Sequence, residues 1–209
     1  MVGRVIVCAP HDLLRIDATA FDDVAALPPW AGASLARTPW VVVRRACAGG
    51  TIPVGIRGVT RTERHGARVA PACVCAIVTP ASLVARIPLG GNIRSIDRAA
   101  CALRDAAHDA GLALGLAGSY GFELATGTVV THAASDIDAI VGATDRAIDR
   151  ATLRTFATAC DAIETVTGVR IDVEVALPCG GTALRDAIGA ATTILVKTDT
   201  GPVLVPCLP

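Results

Sequence analysis

The sequence SDIDAIV at residues 135–141 decides the fold that we expect, because acidic and apolar residues alternate along it. On a β-strand, side chains two residues apart project from the same face. Asp136 and Asp138 would therefore lie side by side on one face, while Ile137 points to the other. The pattern predicts a strand that is buried on one side and carries two carboxylates on the other.

A second stretch, RIDVEV at residues 170–175, alternates in the same way and puts Asp172 and Glu174 on one face. If the two strands are neighbours, Asp136, Asp138 and Asp172 meet. Such carboxylates repel one another by about 4 kcal/mol per pair at ~4 Å and an effective dielectric constant near 20. A bound cation would offset this repulsion. Oxygen-only ligation suits Mg²⁺ or Mn²⁺, and the absence of histidine and cysteine from the set argues against zinc.

A Gly118-Ser119 pair follows a predicted strand at residues 112–117 and precedes a predicted helix at 120–125. Backbone N–H groups and a serine hydroxyl at the start of a helix can hold phosphate oxygens. A Gly-Ser turn, an Asp-x-Asp strand and a later Asp-bearing strand, in this order, resemble the nucleotidyltransferase superfamily related to DNA polymerase β. The alternative is that the acids are solvent-facing residues of edge strands.

The rest of the chain predicts an α+β protein with two domains. Residues 1–83 would form a small α+β domain, with a hairpin at 40–46 and 52–56, an arginine-rich loop at 57–68 and a strand at 71–78. Residues 84–209 would form the nucleotidyltransferase catalytic domain, a mixed β-sheet with flanking helices. Apolar residues at helical spacing predict helices at 95–110 and 145–165, and strands are expected at 193–197 and 203–205.

Composition excludes several classes of partner. The formal net charge is zero and the isoelectric point is about 6.9, so we expect no binding to nucleic acid. The mean hydropathy of +0.54 comes from scattered alanine and valine, without a run long enough to span a membrane. The eight cysteines include no CxxC pair, which indicates reduced thiols and a cytoplasmic location.

Several short stretches along nearly the whole chain are more specific than the superfamily pattern. They are HDLL at 11–14, IPVGIRG at 52–58 with Arg61 and Arg64 after it, GSYGFELATG at 118–127, SDID at 135–138, DVE at 172–174 and LVKT at 195–198. Together they resemble the malonate decarboxylase holo-acyl-carrier-protein synthases, also called phosphoribosyl-dephospho-CoA transferases. The resemblance implies transfer of a phosphoribosyl-dephospho-CoA group from 2′-(5″-triphosphoribosyl)-3′-dephospho-CoA to a serine of the apo acyl-carrier subunit of malonate decarboxylase, with release of diphosphate.

The resemblance also implies roles for individual residues. Asp136 and Asp138 would hold Mg²⁺ against the triphosphate, and Ser119 would bind the departing phosphates. Asp172 would ligate the catalytic metal and help to deprotonate the attacking serine. Glu174 is a weaker candidate ligand, since the family more often has an amide there.

Further contacts to the triphosphate would come from the basic residues Arg57, Arg61, Arg64 and Lys197. The three arginines are spaced so that they would share one face if the loop were helical. The alternative is an ordinary solvated arginine surface. His11-Asp12 is either a hydrogen-bonded structural pair or part of the substrate pocket.

Three other functions are alternatives. The equivalent transferase of citrate lyase would use the same donor with another carrier. An ATP-using nucleotidyltransferase acting on a small molecule or tRNA would need a purine pocket, for which the chain has few aromatic residues. An inactive nucleotidyltransferase-fold binding module would have no use for three repelling acids.

Overall fold

The structure is a computed structural model that describes residues 6–17, 20–21, 27–47, 49–60, 62–90, 93–144 and 148–208. The chain divides into two compact units, Met1–Thr79 and Pro80–Pro209. Residues 80–83, which were predicted to end the first domain, form a short helix in the second unit.

In its described part, the first unit contains a five-stranded antiparallel sheet in the order β4-β3-β2-β1-β5. One helix, α1, packs on it, and the buried side chains of β2 and β3 lie in the same core as Ala31 of α1. The elements are β1 Leu13–Ile16, α1 Pro29–Arg37, β2 Trp40–Val43, β3 Ile52–Arg57, β4 Arg64–Val69 and β5 Val74–Val78.

The predicted hairpin is confirmed, with Val42 opposite Gly55. The predicted loop at residues 57–68 is wrong in its second half, because β4 begins at Arg64 and pairs with β3. The predicted strand at 71–78 starts later than expected, since Pro71–Cys73 form a 3₁₀ turn before β5.

In the described part of the second unit, six strands form one sheet in the order β11-β10-β9-β8-β7-β6. β7 and β8 are parallel, and the other pairs are antiparallel. The predicted α+β class with a mixed sheet is therefore confirmed. The elements are α2 Pro80–Leu83, α3 Ser95–Asp109, β6 Leu112–Leu116, α4 Gly118–Thr126, β7 Ile137–Ala143, α5 Arg150–Thr167, β8 Ile171–Leu177, β9 Gly180–Ala183, α6 Leu184–Ile188, β10 Thr193–Thr198 and β11 Gly201–Pro206.

Helices α3 and α5 pack against each other, and α3 also contacts β6 and β7. The alternation of β7 and β8 directs Ile137, Val141 and Val175 into the core. Helix α5 connects the two parallel strands. It begins after Asp149, whose carboxylate accepts a hydrogen bond from the backbone N–H of Thr152 at 2.7 Å. Of the predicted helix at 145–165, residues 145–147 lie outside the described part.

None of the helices in the described part of the chain combines the length and apolar character needed to cross a membrane. Each of the eight cysteines lies in the described part of the chain and is a free thiol.

Candidate functional site

The structure brings the three predicted acids together at the first residues of two parallel strands. Asp138 on β7 lies directly opposite Asp172 on β8. Asp136 immediately precedes β7, and its side chain is 20% exposed. Between the two acids of the first stretch, Ile137 is fully buried on the other face. The carboxylates therefore leave the sheet on the face opposite to the core.

Arg170 joins the acids of the two strands. Its Nη2 atom donates a hydrogen bond to Oδ2 of Asp136 and another, 2.7 Å long, to Oδ2 of Asp172. The hydrogen bond to Asp136 is the main reason that the pKa of Arg170 is raised, and the charges of Asp172 and Asp138 add to it. Three negative charges thus surround one position, which is occupied by a cationic side chain.

Sequence reasoning missed this role of Arg170. The signal was present, because Arg170 stands two residues before Asp172 and shares its face on a strand. What the pattern did not show was that a guanidinium group, with several donors in one plane, would reach the acid of the neighbouring strand as well.

The Gly118-Ser119 pair lies directly against these acids. The backbone N–H of Ala117 donates to the carbonyl oxygen of Asp138 at 2.8 Å, so the bend after β6 is attached to β7. Gly118 has a φ of +60°, and a Cβ atom there would lie 1.7 Å from Oδ2 of Asp138. Only glycine fits this close approach. Helix α4 begins at Gly118 and not, as predicted, at Tyr120.

The three acids form the candidate site for a divalent cation. Within the described part of the chain, no group of three or more His, Cys, Asp or Glu side chains is arranged to hold a metal ion. Arg170 lies between two of the acids and supplies the positive charge. The acids are all oxygen donors, as Mg²⁺ and Mn²⁺ require. The oxygen chemistry of Asp136, Asp138 and Asp172 suits such an ion, but the described side chains are not arranged as a metal site, so the metal site stays a prediction.

A polar network in which an exposed arginine binds buried side chains holds α4 in place. Arg94, just before α3, donates to both carboxylate oxygens of Asp97, with Nε–Oδ2 and Nη2–Oδ1 distances of 2.9 Å. The hydroxyl of Tyr120, a fully buried residue of α4, donates to Oδ1 of the same carboxylate at 3.0 Å. Although burial raises the pKa of Asp97, the hydrogen bonds from Arg94 and Tyr120 hold it below its usual value.

Glu123 extends this network towards the acids. Its Oε1 lies 2.6 Å from Nη1 of Arg94. Its Oε2 accepts hydrogen bonds from the backbone N–H groups of Val130 and Thr131 and from the Thr131 hydroxyl. These bonds outweigh desolvation and lower the pKa of Glu123. The network therefore connects α3, α4 and the segment that leads to Asp136, and sequence reasoning gave it no role because its members come from separate elements.

Glu174 and Lys197 lie on the same face of the sheet but farther along it. A Cβ atom at Gly181 of β9 would lie 2.2 Å from Oε1 of Glu174, so this carboxylate leans over β9, on the side of β8 away from β7. Lys197 on β10 pairs with Gly181. It is therefore separated from β8 by two strand spacings, roughly 10 Å.

The remaining predicted residues belong to the first unit. Arg57 and Arg64 lie opposite each other on β3 and β4, so the hypothesis of a shared helical face is wrong. Arg61 lies outside the described residues. Asp12 is buried and accepts a hydrogen bond from the backbone N–H of Ala9 at 2.8 Å, which favours the structural interpretation of His11-Asp12. Desolvation by burial raises the pKa of Asp12.

Two family models match this chain. The phosphoribosyl-dephospho-CoA transferase MdcG N-terminal domain matches residues 9–80, and the corresponding C-terminal domain matches residues 87–207. No solved structure matches it.

Three similar proteins bear the name phosphoribosyl-dephospho-CoA transferase. The protein of Pseudomonas putida strain W619 is 38% identical over 197 residues, covering 94% of this chain and 92% of the relative. That of Azotobacter vinelandii is 35% identical over 200 residues, with 94% and 92% covered. That of Pseudomonas aeruginosa is 33% identical over 198 residues, with 94% and 91% covered.

Proposed function

The chain belongs to the phosphoribosyl-dephospho-CoA transferase family, and on that premise we propose that it attaches the prosthetic group of malonate decarboxylase. The donor would be 2′-(5″-triphosphoribosyl)-3′-dephospho-CoA, and the acceptor a serine of the apo acyl-carrier subunit. The serine Oγ would form a bond to the α-phosphorus of the donor. The bond from that phosphorus to the bridging oxygen would break, and diphosphate would leave.

The observation that supports this proposal is the meeting of the three acids with the Gly118 bend. Asp138 contacts the bend, and Asp172 lies opposite Asp138. In phosphoryl transfer, alignment and neutralisation of charge account for most of the catalysis. A set of acids beside the first turn of a helix offers a place for both the phosphates and the cation that neutralises them.

Each of the chain's own residues would have a separate role in the transfer. Gly118 and Ser119 would hold the departing phosphates through the backbone N–H groups of the first turn of α4 and the serine hydroxyl. Asp136, Asp138 and Asp172 would hold Mg²⁺ or Mn²⁺, which when bound would neutralise the phosphate oxygens. Asp172 would also accept the proton of the attacking serine. For a metal ion to bind the three acids, the side chain of Arg170 would have to turn away from Asp136 and Asp172.

The choice of malonate decarboxylase over citrate lyase depends on the sequence resemblance. We place the reaction in the cytoplasm, where free thiols such as those of this chain persist. We propose that Lys197, Arg57 and Arg61 help to hold the triphosphate, whereas Arg64, which the sequence also offered for this role, belongs to a separate group of arginines along β4.

Intact-mass analysis of the carrier tests this function. The enzyme is incubated with Mg²⁺, the triphosphoribosyl donor and either the apo carrier subunit of malonate decarboxylase or that of citrate lyase. We expect the mass of the phosphoribosyl-dephospho-CoA group to be added to the malonate decarboxylase carrier, and not to a carrier whose acceptor serine is replaced by alanine. Preferential modification of the citrate lyase carrier, or transfer from ATP in place of the donor, would show that the proposal is wrong.

A further inference from the structure

Four arginine side chains lie on the outer face of the sheet in the first unit, and three of them follow one another along β4. In antiparallel strands, residues directly opposite each other share a face. The pairs Arg57–Arg64, Gly55–Gly66 and Pro53–Arg68 therefore all lie on one face of β3 and β4. The opposite face carries Val54 and Ile56, which are buried in the core. Arg64 and Arg68 are exposed at either side of Gly66.

Arg44 completes the set from the neighbouring strand. A Cβ atom at Gly66 would lie 2.2 Å from Nη1 of Arg44, and one at Gly55 would lie 3.5 Å from its Cδ. The side chain of Arg44 therefore lies flat across both glycines. Glycine weakens the interior of a strand and marks places where another group approaches closely, and here that group is a guanidinium.

The result is an arginine row, formed by Arg64, Arg44 and Arg68 along β4. Positions two apart on a strand are separated by roughly 6.6 Å, so the row extends over about 13 Å. Arg68 is oriented by hydrogen bonds from Nε to the Thr51 hydroxyl at 2.6 Å and from Nη2 to the carbonyl oxygen of Cys47 at 2.9 Å. Among the described residues, neither Arg44 nor Arg64 lies within salt-bridge distance of an acid.

The first unit as a whole also carries an excess of positive charge. Residues 1–79 contain nine arginines and five acidic residues, a formal charge of +4, whereas residues 80–209 contain ten basic and fourteen acidic residues, a charge of −4. The net charge of zero thus conceals a basic first unit. Three guanidinium groups in a row repel one another, and an anionic partner would remove that repulsion.

We propose that the arginine row binds an acidic surface of the protein acceptor. The inference rests on the proposed function, which gives the enzyme a carrier protein as its second substrate. Small anions are usually bound in concave sites, whereas the row is spread along the exposed face of a sheet. An extended row of charges on an open face fits the surface of a protein better. The row would then bind the protein whose serine is the acceptor in the proposed reaction.

Direct binding of the apo carrier tests this proposal without requiring turnover. The dissociation constant of a fluorescently labelled apo carrier is measured by anisotropy for the wild-type protein, Arg44→Gln and Arg44→Gln/Arg68→Gln. We expect binding to weaken several-fold in the single variant and roughly tenfold or more in the double variant, because each charge at such a surface contributes modestly. The dependence of binding on salt should also become less steep.

Two control proteins make the outcome specific. Arg98→Gln/Arg154→Gln removes the same charge from exposed positions of α3 and α5 in the second unit and should bind the carrier like the wild type. Arg44→Lys keeps the charge and should bind nearly as well as the wild type, which would attribute the loss in Arg44→Gln to its charge. Unchanged carrier binding in Arg44→Gln/Arg68→Gln would overturn the proposal. So would weaker binding of the triphosphoribosyl donor with carrier binding intact, since the row would then hold donor phosphates. Absence of a mass adduct with the wild-type enzyme would instead refute the proposed function.

Discussion

Asp138 and Asp172 lie directly opposite each other on neighbouring parallel strands, so their side chains leave the sheet from the same face. A slip of one residue in this register would turn one of the two carboxylates into the core. The register is held by the buried neighbours Ile137 and Ile171 and by the helix α5 that connects the strands. The geometry of the acids is thus a consequence of the core packing beneath them.

Replacement of Gly118 by alanine should damage the site. The added Cβ would collide with the carboxylate of Asp138, and alanine at a φ of +60° is strained by about 1–2 kcal/mol. We expect transfer to fall by a factor of roughly 100, as found when a reacting group is displaced by about 1 Å. The matched control is Gly127→Ala. Its φ is +71°, but a Cβ there would meet no atom of the described residues within 4 Å. Equal activity of the two variants would contradict the assigned role of Gly118.

Much of this site could be predicted from local sequence. The strict alternation around Asp138 and Asp172 specified both the strands and the faces of the acids, because one side of each strand had to be buried. Arg170 was missed since its second partner, Asp136, comes from the other strand. The buried contact of Tyr120 with Asp97 was missed for the same reason, because no local pattern says which helices will pack together.

The prediction of a loop at residues 57–68, where β4 in fact begins at Arg64, failed for a similar reason. The sequence RHGARV at residues 64–69 is polar and contains a glycine, so its own propensity does not favour a strand. Its pairing along the whole length of β3 and the burial of Val69 favour it instead. The arginines that suggested a solvated loop are the residues that face outwards from this strand.

The stability of the protein should fall in acid because of Asp97 and Glu123. Burial by itself raises the pKa of both carboxyls, but their hydrogen bonds, from Arg94 and Tyr120 and from Thr131, lower the folded pKa values below the ordinary ones. Their stabilisation is therefore complete above the unfolded values of about 4 and is lost as the pH falls through the folded values.

Urea denaturation between pH 7 and pH 3 measures this effect. The free energy of unfolding should decrease below about pH 4.5, and the decrease should be smaller in Asp97→Asn/Glu123→Gln, which starts from a lower stability. A wild-type free energy of unfolding that stays constant down to pH 3 would show that the network contributes no charge-dependent stability.

Removal of Arg170 should strengthen metal binding. The guanidinium group of Arg170 contacts Asp136 and Asp172, so a divalent ion must displace it. We expect Arg170→Ala to bind Mn²⁺ roughly three- to tenfold more tightly. The variant lacks the guanidinium charge that competes with the ion for the carboxylates. Electron paramagnetic resonance of free Mn²⁺ gives the affinity directly. Arg154→Ala, on the exposed surface of α5, is the control. Weaker Mn²⁺ binding by Arg170→Ala would mean that Arg170 does not compete with the ion.

The most direct test of the site is the transfer activity of Asp138→Asn. The amide has the same shape as the carboxylate and should leave the fold unchanged, while the charge needed to hold the cation is lost. Intact-mass analysis of the apo carrier, with donor and Mg²⁺ present, should show the phosphoribosyl-dephospho-CoA adduct forming with the wild-type enzyme and at least roughly a hundredfold more slowly with the variant. Formation of the adduct at the wild-type rate by correctly folded Asp138→Asn would contradict the assignment of these acids as the transfer site.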